Sequence, residues 1–373
     1  MRFHGNKRCV PISFALAMDI WSLAEEKLRE NEEKSTKLGE HKNEQKGEGT
    51  HSRKSTHIIL CGNSQSGKST MVNKFLDRKE EAKETIALEY IYARRTRGNN
   101  KDICHIWELG GGTELLQLLA IPLVKENIET GSSIMVVDLT HPYELWITVE
   151  RLISDLSRYA EAAIRNLDER GQSAIRSRMN YRVSEYKDDL KMCSPFPIPL
   201  LIVGTKYDEF QNFDSEQRRK ICCTLRFLAH YYGAHLVFYS CFNEQLVKVG
   251  RGLFSHLAFD TSISKGKVDD HNRPLYIVSG TDSFESIGPP PIDSASFSRA
   301  GQPINLWKNA FCEHFEQKDR ETGDKSSEEQ QLFLEPMIDN TVAQREKDLE
   351  IYIKQRKDRQ AAETRAAQKP TFL

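Results

Sequence analysis

The sequence feature that most constrains the fold is a glycine-rich loop at 62–70, which reads Gly-Asn-Ser-Gln-Ser-Gly-Lys-Ser-Thr. An apolar run at 57–61 precedes this loop directly, and a helix-like segment at 71–76 follows it. In loops of this pattern, backbone N–H groups turn inward around a phosphate and the lysine spans the β- and γ-phosphates. The combination of strand, loop and helix therefore predicts a P-loop domain that binds a nucleotide.

The loop residues are the first candidate ligands. Lys68 is expected to reach the phosphates, and the Ser69 hydroxyl is expected to ligate Mg²⁺. A plain Gly/Ser-rich turn is the alternative, but it requires neither a buried strand before it nor a helix after it. The candidate ligands are Gly62, Asn63, Ser64, Gln65, Ser66, Gly67, Lys68, Ser69 and Thr70.

Apolar runs alternate with helical patterns over 57–257, which is typical of an α/β fold with a covered, mostly parallel sheet. We predict a Ras-like P-loop GTPase-type domain with six strands, and an additional strand or extended segment at 274–278. The predicted strands are 58–61, 86–93, 103–107, 133–139, 198–204 and 235–240. The predicted helices are 71–75, 143–164, 215–232 and 245–257, with a charged, helical insertion at 165–193.

Composition changes predict three parts of the chain. Residues 1–56 form an N-terminal extension with a short amphipathic helix at 19–28 and a flexible linker. Residues 57–310 form the P-loop domain with its C-terminal extension. Residues 311–373 form a polar linker and a charged helix at 341–367, whose apolar stripe is Val342, Leu349 and Ile353. This helix is either a solvated arm or a docking segment.

Charge and cysteine usage limit the classes of partner. The formal net charge is -1 over 373 residues, so no overall field attracts nucleic acid, and no apolar run is long enough to span a bilayer. Eight cysteines lack the spacing of a zinc site, which favours a reducing cytoplasm. A short basic cluster, Arg94, Arg95 and Arg97, is either a solvated strand end or a contact for an acidic partner.

Further candidate residues follow in the chain order of a GTPase. Thr85 occupies the position of a threonine that senses the γ-phosphate and Mg²⁺, so Ser69 and Thr85 are the candidate metal ligands. Glu108 and Gly111 lie at the end of the third strand, where GTPases have their second switch. Gly112 replaces the glutamine that positions the hydrolytic water.

Base recognition is predicted after the fifth and sixth strands. Lys206 and Asp208 fit a pattern in which the lysine lies along a guanine and the aspartate accepts its hydrogen bonds. Ser240 is a weaker counterpart on the next loop. The alternatives are an ordinary polar turn for Lys206 and Asp208, and common strand-end hydroxyls for Thr85 and Ser240.

Two departures from the GTPase pattern bear on mechanism. Glu108 is one methylene longer than the usual aspartate, which crowds the near-octahedral shell of Mg²⁺ and puts metal binding in question. Gly112 has no side chain to orient water, so we expect negligible hydrolysis. The cofactor expected is GTP or GDP with Mg²⁺, which acts as a structural ligand if it is bound.

Four runs of sequence, at 85–90, 107–113, 225–233 and 282–290, resemble the light intermediate chains of cytoplasmic dynein 2. The most specific is Trp-Glu-Leu-Gly-Gly-Gly-Thr at 107–113. The resemblance extends over about 19–307. Light intermediate chains of dynein 1 share the core but carry a long adaptor-binding C-terminal region, whereas only residues 308–373 follow here.

The resemblance implies a non-catalytic subunit of the motor for retrograde intraflagellar transport and cilium assembly, whose Ras-like domain binds and stabilises the heavy-chain tail. It implies as partners the dynein 2 heavy chain, other dynein 2 subunits and the intraflagellar transport machinery. The implied locations are cytoplasm, cytoskeleton and cilium, including axoneme and basal body. A regulatory P-loop GTPase or ATPase switch is the alternative, and a nucleotide kinase is weaker because no arginine-rich lid follows the loop.

Overall fold

The computed structural model describes residues 55–97, 100–291, 302–318 and 336–367. The predicted helix at 19–28 and linker before the domain lie outside the described residues, apart from the first two residues of β1. The described strands are β1 (Ser55–Gly62), β2 (Leu88–Arg97), β3 (Asn100–Leu109), β4 (Gly131–Asp138), β5 (Leu200–Thr205), β6 (His235–Phe238) and β7 (Tyr276–Ile277). The described α-helices are α1 (Lys68–Phe75), α2 (Lys125–Ile128), α3 (Pro142–Arg165), α4 (Glu169–Arg182), α5 (Tyr207–Phe210), α6 (Ser215–Tyr232), α7 (Glu244–Phe259), α8 (Phe284–Ile287), α9 (Pro303–His314) and α10 (Pro336–Ala367).

The strands form one mixed sheet in the order β2-β3-β1-β4-β5-β6-β7. Neighbouring strands from β3 to β6 are parallel, whereas β2 pairs antiparallel with β3 and β7 pairs antiparallel with β6. The α/β, mostly parallel sheet is confirmed. The six predicted strands are present, and the additional segment predicted at 274–278 contributes the seventh strand, β7.

Helices cover both faces of the sheet, as nearly all-apolar parallel strands require. On one face α3, α6 and α9 pack over residues such as Ile59 and Ile202. On the other face α1 and α7 pack over Ile58 and Leu60. In α3 the buried residues recur every three or four positions along 24 residues, which fixes the face that this helix turns to the sheet.

The insertion predicted at 165–193 is helical, as expected. It consists of α4 and two short 3₁₀ turns within Ser184–Lys191, separated by a left-handed residue, Lys187. Strand β2 begins at Leu88 rather than 86, so that Thr85 lies in the preceding loop.

The C-terminal extension packs on the domain beyond the position where the sequence placed the domain end. Helix α9 runs through 310 and 311, and its Trp307 stacks on Phe227 of α6 at 4.6 Å between ring centroids. Phe315 is buried, and the Lys318 N–H donates to the Tyr143 carbonyl of α3 at 2.8 Å. The described residues 302–318 therefore pack on the domain as well.

Helix α10 begins at Pro336, five residues before the predicted start. The predicted stripe residues Val342, Leu349 and Ile353 are all exposed. Within the described ranges, no helix combines the length and apolar character needed to cross a bilayer.

Candidate nucleotide-binding site

The glycine-rich loop lies at the carboxyl edge of the sheet, between the end of β1 and the start of α1. The parallel strands β3, β4, β5 and β6 end at the same edge, which is where open α/β sheets bind ligands. Gly62 begins the loop with φ 151°, and a Cβ there would collide with the Val136 carbonyl oxygen of β4. Only glycine permits this close approach of the two backbones.

Lys68 is held inside the loop. Its Nζ donates to the carbonyl oxygens of Gly62 at 3.0 Å and Asn63 at 2.7 Å. Burial lowers the pKa of Lys68, and the nearby Glu108 carboxylate partly offsets this effect. A buried ammonium is stabilised by anionic ligands, so an incoming phosphate would gain from this charge.

Ser69, Thr85 and Glu108 converge on one point, although they come from α1, a loop and β3. The Ser69 hydroxyl donates to Glu108 Oε1 at 2.5 Å, and the Thr85 hydroxyl donates to the same oxygen at 3.0 Å. The two hydroxyl oxygens lie 3.4 Å apart. The predicted metal ligands and the second-switch carboxylate therefore form one cluster.

Glu108 is 1% exposed, and this burial raises the pKa of its carboxyl. The hydrogen bonds from Ser69 and Thr85 lower the pKa, but they offset the effect of burial only in part. Its Oε2 is buried and accepts no hydrogen bond from a described residue. Both hydroxyls keep lone pairs while they donate to Oε1. Mg²⁺ prefers oxygen ligands, and here two hydroxyl oxygens lie beside a buried carboxylate oxygen that has no hydrogen-bond partner among the described residues. These residues therefore fit Mg²⁺, although the glutamate side chain is longer than the usual aspartate.

A cavity of about 270 Å³ opens beside this cluster. Its volume lies just below the usual range for ligand pockets, which suits the phosphate part of a nucleotide better than the whole molecule. The predicted site residues that line it are Ser64, Gln65, Ser66, Gly67, Lys68, Ser69, Thr70, Thr85, Glu108 and Gly111. Gly62, Asn63, Lys206, Asp208 and Ser240 do not line it.

Asn63 instead connects the loop to α3. Its side-chain amide donates to Glu144 Oε2 at 3.1 Å and to the Thr148 hydroxyl at 2.8 Å. These bonds fix the loop on the helix that covers the sheet, so Asn63 supports the loop rather than facing the cavity.

The predicted base-recognition residues lie together at the ends of β5 and β6. The Ser240 hydroxyl donates to Asp208 Oδ1 at 2.6 Å. Lys206 Nζ lies 2.6 Å from Asp138 Oδ2. Burial tends to raise the pKa of Asp138, but hydrogen bonds from Lys206 and Thr140 outweigh it and the pKa lies below the usual value.

Sequence reasoning missed Asp138, and it recognised Thr205 only as the first residue of the pattern at 205–208, without its contacts. Asp138 ends β4 and pairs with Lys206, and its position at a strand end on the ligand edge was the available signal. The Thr205 hydroxyl donates to the Ser66 carbonyl at 2.8 Å and to the Val137 carbonyl at 3.1 Å. These bonds join the base-side loop directly to the phosphate loop.

Gly112 lies against the glycine-rich loop. A Cβ on Gly112 would come within 3.3 Å of the Ser64 nitrogen, and the residue has φ 61°. The left-handed conformation and the tight contact both favour glycine. No side chain at this position can orient a water molecule.

A second cavity, of about 980 Å³, lies at the opposite, amino-terminal edge of the sheet. Thr56, Pro199 and His235 line it at the starts of β1, β5 and β6, together with Arg182 of α4. None of the predicted ligands contributes to it.

Comparisons with known proteins agree with the resemblance found in the sequence. A family model described as dynein light intermediate chain matches residues 43–200. Cytoplasmic dynein 2 light intermediate chain 1 of Bos taurus is 40% identical over 306 residues, which cover 79% of this chain and 86% of that protein. The Danio rerio protein of the same name is 39% identical over 341 residues, which cover 89% and 94%.

Among solved structures, the chain is similar to the crystal structure of the dynein light intermediate chain's conserved domain. The TM-score is 0.50 at 15% sequence identity, over 69% of this chain and 98% of that chain. At this identity the likeness shows the fold alone.

Proposed function

Because the chain belongs to the dynein light intermediate chain family and is of the dynein 2 type, we propose that it binds and stabilises the tail of the dynein 2 heavy chain. In this proposal it acts in retrograde intraflagellar transport and cilium assembly, in contact with other dynein 2 subunits and the transport machinery. Its expected locations are the cytoplasm and the cilium, including axoneme and basal body.

The observation that carries the non-catalytic role is the position of Gly112 against the phosphate loop. GTP hydrolysis needs a side chain that aligns the attacking water, and a glycine in this tight contact supplies none. A site that binds but does not turn over a nucleotide suits a structural subunit.

The nucleotide in this proposal is GTP or GDP, held as a structural ligand. Lys68 and the loop backbone would bind the phosphates, and Lys206, Asp208 and Ser240 would recognise the base. Ser69 and Thr85 would hold Mg²⁺, which neutralises phosphate charge when it is bound. A ligand that binds only the folded state stabilises it by mass action.

A regulatory nucleotide switch remains the second candidate, and one observation favours it. Thr85 reaches the cluster of Ser69 and Glu108, as a residue that senses the γ-phosphate must. A switch requires that the loop before β2 differ between the GTP- and GDP-bound states.

The two candidates are separated by heavy-chain binding. The full chain is co-purified with a tagged heavy-chain tail, with GDP or with a non-hydrolysable GTP analogue. The structural role predicts equal recovery with both nucleotides, whereas a switch predicts recovery that depends on the nucleotide.

Deletions locate the binding region. We expect a chain that lacks 347–373 to keep heavy-chain binding, because the few apolar residues of α10 are scattered around a highly charged helix. Deletion of 57–257 should abolish binding and impair the return of cargo from the ciliary tip. The reverse pattern, in which α10 is necessary and the domain dispensable, would overturn the assignment.

A further inference from the structure

We propose that the free edge of β2 is a docking site for an extended segment of another protein, one that places apolar side chains beside Tyr90 and Tyr92 and a carboxylate beside Arg94. This surface is separate from the nucleotide site, and the proposal does not depend on nucleotide binding.

Strand β2 is the outermost strand of the sheet, and its only strand neighbour is β3. The two strands pair without a bulge over ten residues, from Leu88 opposite Leu109 to Arg97 opposite Asn100. No described segment pairs with the other edge of β2. A row of backbone donors and acceptors is therefore left without strand partners.

The register identifies which groups these are. The Gly110 N–H donates to the Ala87 carbonyl at 2.5 Å, just before the first pair of the ladder. In an antiparallel ladder, residues that bond to the partner strand alternate with residues whose N–H and C=O point away from it. Glu89, Ile91 and Ala93 therefore bond to β3, whereas Tyr90, Tyr92 and Arg94 direct their backbone groups outward.

Natural proteins protect such edges with proline, charged side chains, bulges or short strands. Strand β2 has no proline or bulge, and its charged side chains, Glu89 and three arginines from 94 onward, lie on either side of a middle that carries large aromatic side chains. Tyr90 is 47% exposed and Tyr92 is 52% exposed. A long, regular edge with exposed aromatic residues is a surface that a partner strand can extend.

The side chains beside this edge define the chemistry of the partner. Tyr90 packs against Trp107 at 4.8 Å between ring centroids, and its hydroxyl lies 2.7 Å from His105 Nδ1. Burial lowers the pKa of His105, which favours the uncharged ring. The aromatic surface thus continues from β2 onto β3.

One face of β2 is formed by alternate residues, Leu88, Tyr90, Tyr92, Arg94 and Thr96, and Arg94 carries the single charge on this face. Its guanidinium lies 5.6 Å from the centre of the Tyr92 ring, which holds it beside the edge. The side chains of β2 and β3 that share this face include no aspartate or glutamate. An incoming strand gains most if it brings apolar residues to the tyrosines and a carboxylate to Arg94.

A second copy of this chain does not meet that requirement. Paired edge to edge, it would bring its own Leu88, Tyr90, Tyr92, Arg94 and Thr96, and hence no carboxylate on this face. An acidic segment of another protein therefore suits this face of β2 better than a second copy does.

The test uses the full chain and two fluorescently labelled, twelve-residue probe peptides in which valine and threonine alternate. One acidic probe carries two aspartates at its amino end, and the other carries them at its carboxyl end. A control probe carries lysines in place of the aspartates. Fluorescence anisotropy measures binding, and hydrogen exchange measures protection of the outward amides of Tyr90, Tyr92 and Arg94.

Tyr92→Pro removes one outward N–H, which the chain's own sheet does not use, so the domain should keep its fold. Tyr92→Thr is the matched control, because it retains that N–H. We expect one acidic probe to bind the unaltered chain and to protect the outward amides. Tyr92→Pro should weaken this binding about tenfold or more relative to Tyr92→Thr. Arg94→Gln should reduce the preference for the acidic probe over the lysine probe.

Several outcomes would overturn the proposal. They are equal binding by Tyr92→Pro and Tyr92→Thr, no binding of either acidic probe, or no protection of the outward amides. A homodimer in sedimentation that Tyr92→Pro dissociates would assign this edge to a second copy instead.

Discussion

Ser69 donates its hydroxyl proton to Glu108 Oε1 at 2.5 Å, which joins the first turn of α1 to the end of β3. The bond compensates part of the cost of burying the Glu108 carboxylate, since burial raises the pKa of that group. It also aligns the Ser69 oxygen beside Thr85 at the cavity that the glycine-rich loop lines. The same contact therefore stabilises the loop, and in our proposal it also arranges these oxygen atoms for Mg²⁺.

Lys68→Ala should abolish the thermal stabilisation that GDP gives to the full chain. Lys68 also bonds to the carbonyls of Gly62 and Asn63, so the variant is expected to unfold at a lower temperature even without nucleotide. The quantity to compare is the rise in unfolding temperature when GDP is added. A ligand at a hundredfold excess over its Kd contributes about 2.7 kcal/mol.

Lys74→Ala is the matched control, since Lys74 is an exposed residue of the same helix. Lys74→Ala should show the same rise in unfolding temperature with GDP as the unaltered chain. If the unaltered chain shows neither a shift with GDP or GTP nor nucleotide in native mass spectrometry, the structural-ligand proposal is wrong.

Single-turnover GTP hydrolysis should not exceed the intrinsic level of small GTPases, about 10⁻⁴ per second. Gly112→Gln should not raise this rate, because residue 112 has φ 61° and lies in tight contact with Ser64. The substitution should instead destabilise the domain by about 1–2 kcal/mol, the usual cost of a left-handed non-glycine residue. A rate near 1 per second that Lys68→Ala removes would restore the regulatory switch as the leading function.

Much of the fold was predictable because its determinants are local. The apolar runs before 62 and 205 are strands, and the loop at 62–70 links β1 to α1 as its pattern requires. Long-range contacts were not accessible in the same way. Two of the runs that carried the family resemblance meet through Arg226 and Asp282, but nothing in their spacing indicates this pair.

In the candidate site, too, local motifs were predictable from the sequence and long-range contacts were not. Motif spacing identified Ser69, Thr85 and Glu108, and the fold brings them together. The contact between Asp138 and Lys206 depends on the order of β4 and β5 in the sheet, which the sequence fixes only through the whole topology.

Stability should fall as the pH decreases from about 6.5 to about 4, and His235 should account for part of this loss. The pKa of His235 is lowered from 6.5 to about 4, mainly by burial and to a smaller extent by the nearby His256 and Arg182. Its Nδ1 accepts a hydrogen bond from the Ser279 N–H at 3.1 Å, which requires the unprotonated atom. Between these two pH values the unfolded chain binds more protons, so protonation favours unfolding.

The maximum effect of this one group is about 3 kcal/mol, from 1.36 kcal/mol per pKa unit. Thermal unfolding from pH 7.5 to 4.5 measures it. His235→Asn does not titrate in this range and keeps an acceptor for Ser279, so its unfolding temperature should depend less on pH. An unchanged pH dependence in this variant would contradict the assignment.

Arg226→Met should loosen the C-terminal extension from α6. Arg226 donates to both carboxylate oxygens of Asp282, at 2.9 and 2.8 Å, and the two side chains are only 7% and 3% exposed. Loss of the arginine leaves a buried carboxylate that retains Lys267 as its other cationic partner at 2.9 Å. We expect a loss of about 3 kcal/mol in the free energy of unfolding.

Arg219→Met is the matched control on the same helix, because Arg219 pairs with Glu216 where both side chains are about half exposed. Its effect should stay within about 0.5 kcal/mol. Hydrogen exchange should show faster exchange over 276–287 in Arg226→Met only. Strand β7 lies in this region. If the extension contacts the heavy-chain tail, Arg226→Met should also reduce the amount of this chain that co-purifies with the tail. Equal unfolding of both variants would mean that the Arg226–Asp282 pair does not anchor the extension, and that the apolar contacts of Trp307 and Phe311 do so alone.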